Sequence, residues 1–248
     1  MATGRTTPVI FGCENASEIF VGEYVVKLRG GIDTRESGLL CELIAAKLAA
    51  HFGIASPEPA VVQIDQALAE LMAVKEPSHA VSVRNSVGLN FGTRMMTGFS
   101  TWPVDRSIPE AMWQAATDVF AFDALIQNPD RRSGNPNLFT NGDSLLIFDH
   151  ETAFSFLLSL FPSQTPWKLS GQQYLADHVF FGRLKAKVID LAAFSLSLDG
   201  LSDILLGDIF SDVPAEWKTG ALPKIESHLK LMRQNASDFM EEVRRFLV

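Results

Sequence analysis

Asp130, Asn135 and Asp149 are the residues of this 248-residue chain whose types and spacing most directly suggest chemistry. They lie between Asn128 and Phe154, in the stretch N-P-D-R-R-S-G-N-P-N-L-F-T-N-G-D-S-L-L-I-F-D-H-E-T-A-F. Asn135 follows Asp130 by five residues, and the apolar run Leu145 to Phe148 leads straight into Asp149. An acid, an amide and a second acid, delivered by a loop and a strand end, suit metal-assisted phosphoryl transfer. One carboxylate orients or deprotonates an acceptor hydroxyl, while the amide and the other carboxylate hold Mg²⁺ against nucleotide phosphates. Magnesium takes such oxygen ligands and fills its shell with waters and phosphate oxygens. Read singly, each residue is weak. Asp130 and Asn135 stand beside prolines, as turn residues commonly do, and Asp149 could cap a strand end.

Two upstream residues strengthen the set. Lys27 lies in the β-branched and aromatic run Ile19 to Leu28, which reads as a strand, just ahead of the glycine-containing loop R-G-G-I-D-T-R-E-S-G. Glu42 lies in Ser37 to Phe52, where Leu40, Leu43, Ile44, Leu48 and Phe52 recur at helical spacing. A carboxylate among apolar residues needs a partner, because an unpaired buried charge is costly. Lys27 is the obvious one, and a Lys–Glu pair would aim the ammonium at the phosphates. The alternatives are an edge-strand lysine and a solvated helix face. Asp123, within an apolar helical stretch, also needs satisfaction, and Arg131 or Arg132 could supply it or could contact phosphate. His150 and Glu151 could ligate metal, but no second histidine stands at ligand spacing, so a zinc reading is poor.

The elements that must position these residues follow from periodicity and punctuation. Gly53 is a plausible cap for the Ser37–Phe52 helix. Residues 57–65 read as a strand entered through prolines, 66–73 as a short helix and 80–99 as one or two strands. Ser107 could cap a helix running from 109 to about 127, ended by Pro129. Leu138–Phe139 and Leu145–Phe148 flank a turn at Asn141–Gly142, a strong hairpin signal. The chain after Pro166 reads as helical. Its last helix, 224–247, carries Ile225, Leu229, Met232, Ala236, Phe239, Val243 and Phe246 as a packing stripe. The reading is α+β and bilobal: a strand-rich lobe over 1–100, a linker over 101–108 and a helical lobe over 109–248 with the Asp130 loop at the cleft. That is a protein-kinase-like architecture.

Composition sets limits. The net charge of −8 divides as −2 over residues 1–103 (8 basic, 10 acidic) and −6 over 104–248 (13 basic, 19 acidic). It argues against direct nucleic-acid binding, which rests on neutralising phosphates. The acidic balance and the lack of a basic membrane face also argue against lipid surfaces. Cys13 and Cys41 form no C-x-x-C pair, and Cys41 reads as a buried thiol, so a cytoplasmic setting is expected. Residues 1–8 show no apolar signal core. Neither G-x-x-x-x-G-K-[ST] nor G-x-G-x-x-G occurs. Gly12 with Glu14–Ser17 is the best phosphate-covering turn, and Met95 to Phe99 could supply a hinge for adenine.

At Y-V-V-K-L, C-E-L-I-A-A-K-L-A-A-H-F-G-I-A-S-P-E-P, F-D-A-L-I-Q-N-P-D-R-R-S-G-N-P-N-L-F and L-L-I-F-D-H-E-T-A-F, the chain resembles the HipA-like kinases. Those in turn resemble phosphatidylinositol 3- and 4-kinases. The resemblance implies ATP and Mg²⁺, with Asp130 catalytic, Asn135 and Asp149 on the metal, and Lys27, paired with Glu42, on phosphate. Arg132 stands where histidine is frequent in that family, and D-H-E replaces the protein-kinase D-F-G. The expected activity is phosphotransfer to a hydroxyl, a Ser or Thr of a protein. The alternatives are a pseudokinase serving as a nucleotide-binding regulatory module with a protein partner, and a small-molecule or lipid kinase.

Overall fold

The computed structural model describes residues 8–32, 34–103 and 105–248. Residues 1–7 of the start read for a signal core therefore lie outside the described residues, as do Asp33 of the glycine-containing loop and Val104 of the linker. The fold is α+β. It opens with strands β1 (Val9–Glu14) and β2 (Phe20–Lys27), then helix α1 (Glu36–His51), β3 (Pro59–Ile64), helices α2 (Gln66–Lys75) and α3 (Ala80–Arg84), and β4 (Gly88–Arg94). These strands form an antiparallel sheet in the order β1-β2-β4-β3. Lys27 therefore ends an inner strand, in register with Phe91.

A second antiparallel sheet, β5 (Ser100–Thr101), β6 (Leu138–Thr140) and β7 (Leu145–Ile147), brackets helix α4 (Trp113–Leu125) and the Asp130 loop. The 142 position of its hairpin turn has φ of 106°, which explains the glycine there. The rest is helical: α5 (Phe181–Leu184), α6 (Ala192–Asp199), α7 (Asp203–Ser211), α8 (Ala221–Gln234) and α9 (Ala236–Phe246).

Most buried side chains belong to one cluster. It joins α1 (Leu39, Leu40, Ile44, Leu48) to α4 (Val119, Phe120, Phe122) and to the C-terminal helices (Leu229, Phe239, Val243). Helix α1 is apolar on almost every face because the sheet lies on one side and the later helices on the other. Phe52, just beyond it, packs between Phe194 and Phe122, with tilted rings at 4.5 and 5.8 Å. A smaller cluster of Leu28, Ile64, Ala69 and Val83 fills the space under α2 and α3. The 101–108 stretch is tied into the large cluster, with Trp102 1% exposed and edge-on to Phe180.

Several local expectations need correction. The helix expected from 109 begins only at Trp113, after a 3-10 turn at Glu110–Met112, and no side chain caps it. A tight first turn behind Pro109 is a common helix opening. The glycine-containing loop after Lys27 opens with a 3-10 turn at Arg29–Gly31, with Arg29 N–H donating to Asn90 Oδ1 (2.8 Å) and Gly30 N–H to Ser86 Oγ (3.0 Å). A Cβ on Gly30 would lie 2.2 Å from the Ser82 carbonyl oxygen, so this glycine permits close approach rather than motion. Residues 80–99 hold a short helix before their strand, whereas the chain after Pro166 is helical as read, entered through 3-10 turns at Leu169–Gly171 and Gln173–Asp177. The final helix breaks at Asn235, whose side chain donates back to Leu231 O (2.8 Å), yet the apolar stripe runs on from α8 to α9.

Candidate functional site

Three of the sequence-predicted residues meet at one ammonium group. Lys27 Nζ donates to Glu42 Oε1 from α1 and, at 2.6 Å, to Asp149 Oδ1 from the end of β7. The expected Lys27–Glu42 pair is thus present, and Asp149 joins it across 122 residues of sequence. Glu42 is buried, and its second oxygen accepts the His150 backbone N–H at 2.9 Å. The backbone after Asp149 is thereby pinned to α1.

Two carboxylates share one ammonium, so the trio carries an excess negative charge. Burial disfavours the Lys27 charge, but Glu42 and Asp149 outweigh it and hold its pKa well above the usual lysine value. Burial, together with the Asp149 charge, pushes the Glu42 carboxyl up despite Lys27. Burial opposes ionisation of Asp149 as well, yet the Lys27 ammonium prevails and holds this more accessible carboxyl below the usual range.

Asp130 sits on the loop between α4 and β6. Its Oδ2 accepts from Asn135 Nδ2 (2.8 Å) and Asn137 Nδ2 (3.3 Å), and its Oδ1 from the exposed Arg132 (3.3 Å). The predicted acid and amide are therefore adjacent. Asn137 is a further contact. Asn137 and Asp149 both adopt left-handed backbone, with φ of 44° and 61°. Asn and Asp tolerate that region better than other non-glycine residues, and such conformations gather at functional sites.

A buried hub supports the loop. Asp123 and Arg131 have fully buried side chains, and Arg131 Nε donates to Asp123 Oδ2 at 2.5 Å. Arg131 Nη1 also donates to the carbonyls of Asn137 (2.6 Å) and Phe148 (3.3 Å). One guanidinium thus joins helix α4, the Asp130 loop and the residue preceding Asp149. The anchoring choice left open in sequence resolves to Arg131, while Arg132 points outward. Burial alone would raise the Asp123 carboxyl, but Arg131 and His178 hold it well below the usual carboxylate range.

His150 is buried, with its ring edge-on to Phe122, and burial beside Arg131 pushes its pKa down to about 3, so the ring is neutral. Among the described residues no three His, Cys, Asp or Glu side chains converge as a metal cage. The oxygen donors fit magnesium better. With Asn135 Nδ2 on Asp130 and Asp149 Oδ1 on Lys27, Asn135 Oδ1 and Asp149 Oδ2 accept no hydrogen bond among the described residues. A hard cation bridging to phosphate oxygens takes atoms of this kind.

Two peripheral expectations meet less support. The turn after Gly12 and Glu14 spans residues 15–19, and its Ser17 and Ile19 N–H groups are spent on Asn15 Oδ1. In the expected hinge, the Met95 N–H is spent on the Glu23 carbonyl at 2.8 Å. One further feature carried no sequence signal. Phe139 and Phe148 stack at 4.1 Å on the face of β6 and β7 opposite the core residues Leu138 and Ile147.

Compared with known protein families, residues 1–245 match the family model described as HipA-like kinase. No curated protein and no solved structure matches the chain.

Proposed function

The chain belongs to the HipA-like kinase family, and on that footing we propose that it transfers the γ-phosphoryl group of Mg-ATP to the hydroxyl of a protein Ser or Thr. The observation that carries this reading is Lys27 held between Glu42 and Asp149, with Asp130 bonded to Asn135. Asp130 orients the acceptor hydroxyl and takes its proton as oxygen bonds to the γ-phosphorus. The electrons of the broken β–γ bridging bond leave with ADP. Lys27 turns from Asp149 to the nucleotide phosphates while Glu42 keeps hold of it. Asn135 Oδ1 and the Asp149 carboxylate would hold magnesium, which would neutralise charge on the phosphates. The base would rest on the Phe139–Phe148 stack, in the cleft expected between the strand-rich residues 1–100 and the helical residues 109–248. Asp130 is reached from the surface beside Arg132, whose side chain is 57% exposed, which suits a hydroxyl presented by a macromolecule.

A second reading, a nucleotide-binding regulatory module without turnover, is favoured by the turn at 15–19 that keeps its N–H groups for Asn15. Radiolabelled ATP with magnesium separates the two. Wild type should label itself or an added protein, and Asp130→Ala should lose transfer while retaining an ATP-induced thermal shift. Asp149→Ala should weaken that shift. Wild-type binding of Mg-ATP with no turnover on any acceptor would favour the regulatory module, and no binding would sink both.

A further inference from the structure

His178 lies 55 residues beyond Asp123, in a segment that no motif marks, yet it completes the hub under the Asp130 loop. Its Nδ1 faces the Phe180 backbone N–H at 3.1 Å and must accept there. In the neutral ring the proton is then on Nε2, which lies 3.0 Å from Asp123 Oδ2 and donates to it. Burial keeps the ring neutral despite Asp123. Asp123 thereby receives Asn128 Nδ2 (2.9 Å), two nitrogens of Arg131 and the His178 ring, which leaves a buried carboxylate well satisfied.

The backbone around His178 follows the loop residue by residue. Ser133 N–H donates to Asp177 O (3.2 Å), and Val179 N–H donates to Arg131 O (3.0 Å). Arg132 and His178 form an antiparallel bridge. The loop is held on both sides of Arg132, immediately after Asp130, while Phe120 supports the ring edge-on at 5.0 Å.

We propose that His178 is a positioning residue for phosphotransfer: with the Asp177–Val179 backbone, it clamps the Asp130 loop to Asp123 and fixes the direction of the Asp130 carboxylate. The inference rests on the phosphotransfer reading for its kinetic consequence, and on geometry alone for the clamp. His178 touches no reacting atom. Its loss would free the loop to move, and displacements of about 1 Å at reacting groups can cost up to ~100-fold in rate.

The test compares wild type with His178→Phe, His178→Asn and His178→Gln. The Gln side-chain nitrogen reaches the place of the ring Nε2, and the shorter Asn nitrogen does not. Expected is a fall in kcat of about tenfold or more for Phe and Asn, with KM for ATP within about twofold, and recovery of most of the loss by Gln. Amide hydrogen exchange over 130–137 should quicken in Phe and Asn, with α4 unchanged. If Phe does not fold, the Asn–Gln contrast carries the test. Equal behaviour of Asn and Gln, unchanged kcat in Asn, or unchanged exchange over 130–137 would overturn the proposal. If wild type transfers no phosphate, the phosphotransfer reading fails and the exchange contrast alone judges the clamp.

Discussion

Replacing Lys27 by methionine tests the centre of the site without reference to catalysis. The substitution keeps the length of the stem and removes the ammonium between Glu42 and Asp149. At an effective dielectric of about 20, the 2.6 Å contact with Asp149 corresponds to a gross attraction of roughly 6 kcal/mol. Water reduces that, because the Asp149 side chain is 32% exposed. Glu42, at 2% side-chain exposure, has no such relief. Breaking a buried pair costs about 3–5 kcal/mol, and the partial exposure of Asp149 places Lys27→Met near 3. For a chain of this size that is a fall of roughly 6–12 °C in Tm. The loss should depend on pH. Glu42 is already raised by burial and by Asp149, and it rises further without Lys27. A carboxyl raised on folding contributes stability below its unfolded value, about 4.3, and loses it as pH rises through the folded value. The deficit of Lys27→Met relative to wild type should therefore be largest near neutrality and shrink as pH is lowered. Urea unfolding of both proteins at several pH values measures it. A deficit under about 1 kcal/mol at neutral pH, or one that does not vary with pH, would refute the view that Lys27 neutralises a buried Glu42.

Two further outcomes follow from the buried groups. Asp123→Ala strands the Arg131 guanidinium, so urea unfolding should show a loss of about 3–5 kcal/mol, and a loss below about 1 would mean that Arg131 is not bound through this acid. His228 Nε2 bonds the Leu125 carbonyl at 2.7 Å, and burial pushes its pKa down to about 4 from 6.5. Its stabilisation is present above 6.5 and lost as pH falls toward 4, by at most about 1.4 kcal/mol per pH unit. His228→Gln should flatten the acid side of the stability profile by one proton, and an unchanged slope would refute the assignment.

Contacts that join residues of unlike chemistry were readable in sequence where an element made them obligatory. Glu42 stood in an apolar helix and Lys27 on an apolar strand, so the pair followed from the cost of an unpaired buried charge. Asp123 called for a cation in the same way, and Arg131 lies only eight residues away. His178 could not be found so, because a histidine among apolar residues has many possible partners and its loop carries no periodicity. The Lys27–Asp149 contact is also hidden in sequence: there both residues read as ligands of bound groups, and only the geometry brings them together directly. The helix break at Asn235 escaped because the apolar stripe is continuous across it, and periodicity registers the stripe rather than the hydrogen bonds beneath.

The two halves of the site differ in what nucleotide binding would ask of them. Asp123, Arg131 and His178 are buried and bonded to one another and to backbone, so each lost contact leaves a buried polar group behind. That half is built to stay fixed. In the upper half, Lys27 lies on Asp149 and Asn135 on Asp130, and both contacts join side chains that phosphate and magnesium would otherwise engage. Glu42 is the exception there, because its second oxygen also holds the His150 N–H and so ties it to the backbone. An incoming nucleotide would thus exchange Lys27–Asp149 and leave Lys27–Glu42 intact. The excess negative charge of the trio would be offset by the metal rather than by a second lysine. On this reasoning Glu42→Gln should weaken the hold on Lys27 and leave it to Asp149, so Mg-ATP affinity should fall more than stability does. Calorimetric titration and urea unfolding of the same protein decide this, and a stability loss that exceeds the loss of binding free energy would place Glu42 among the fixed supports instead.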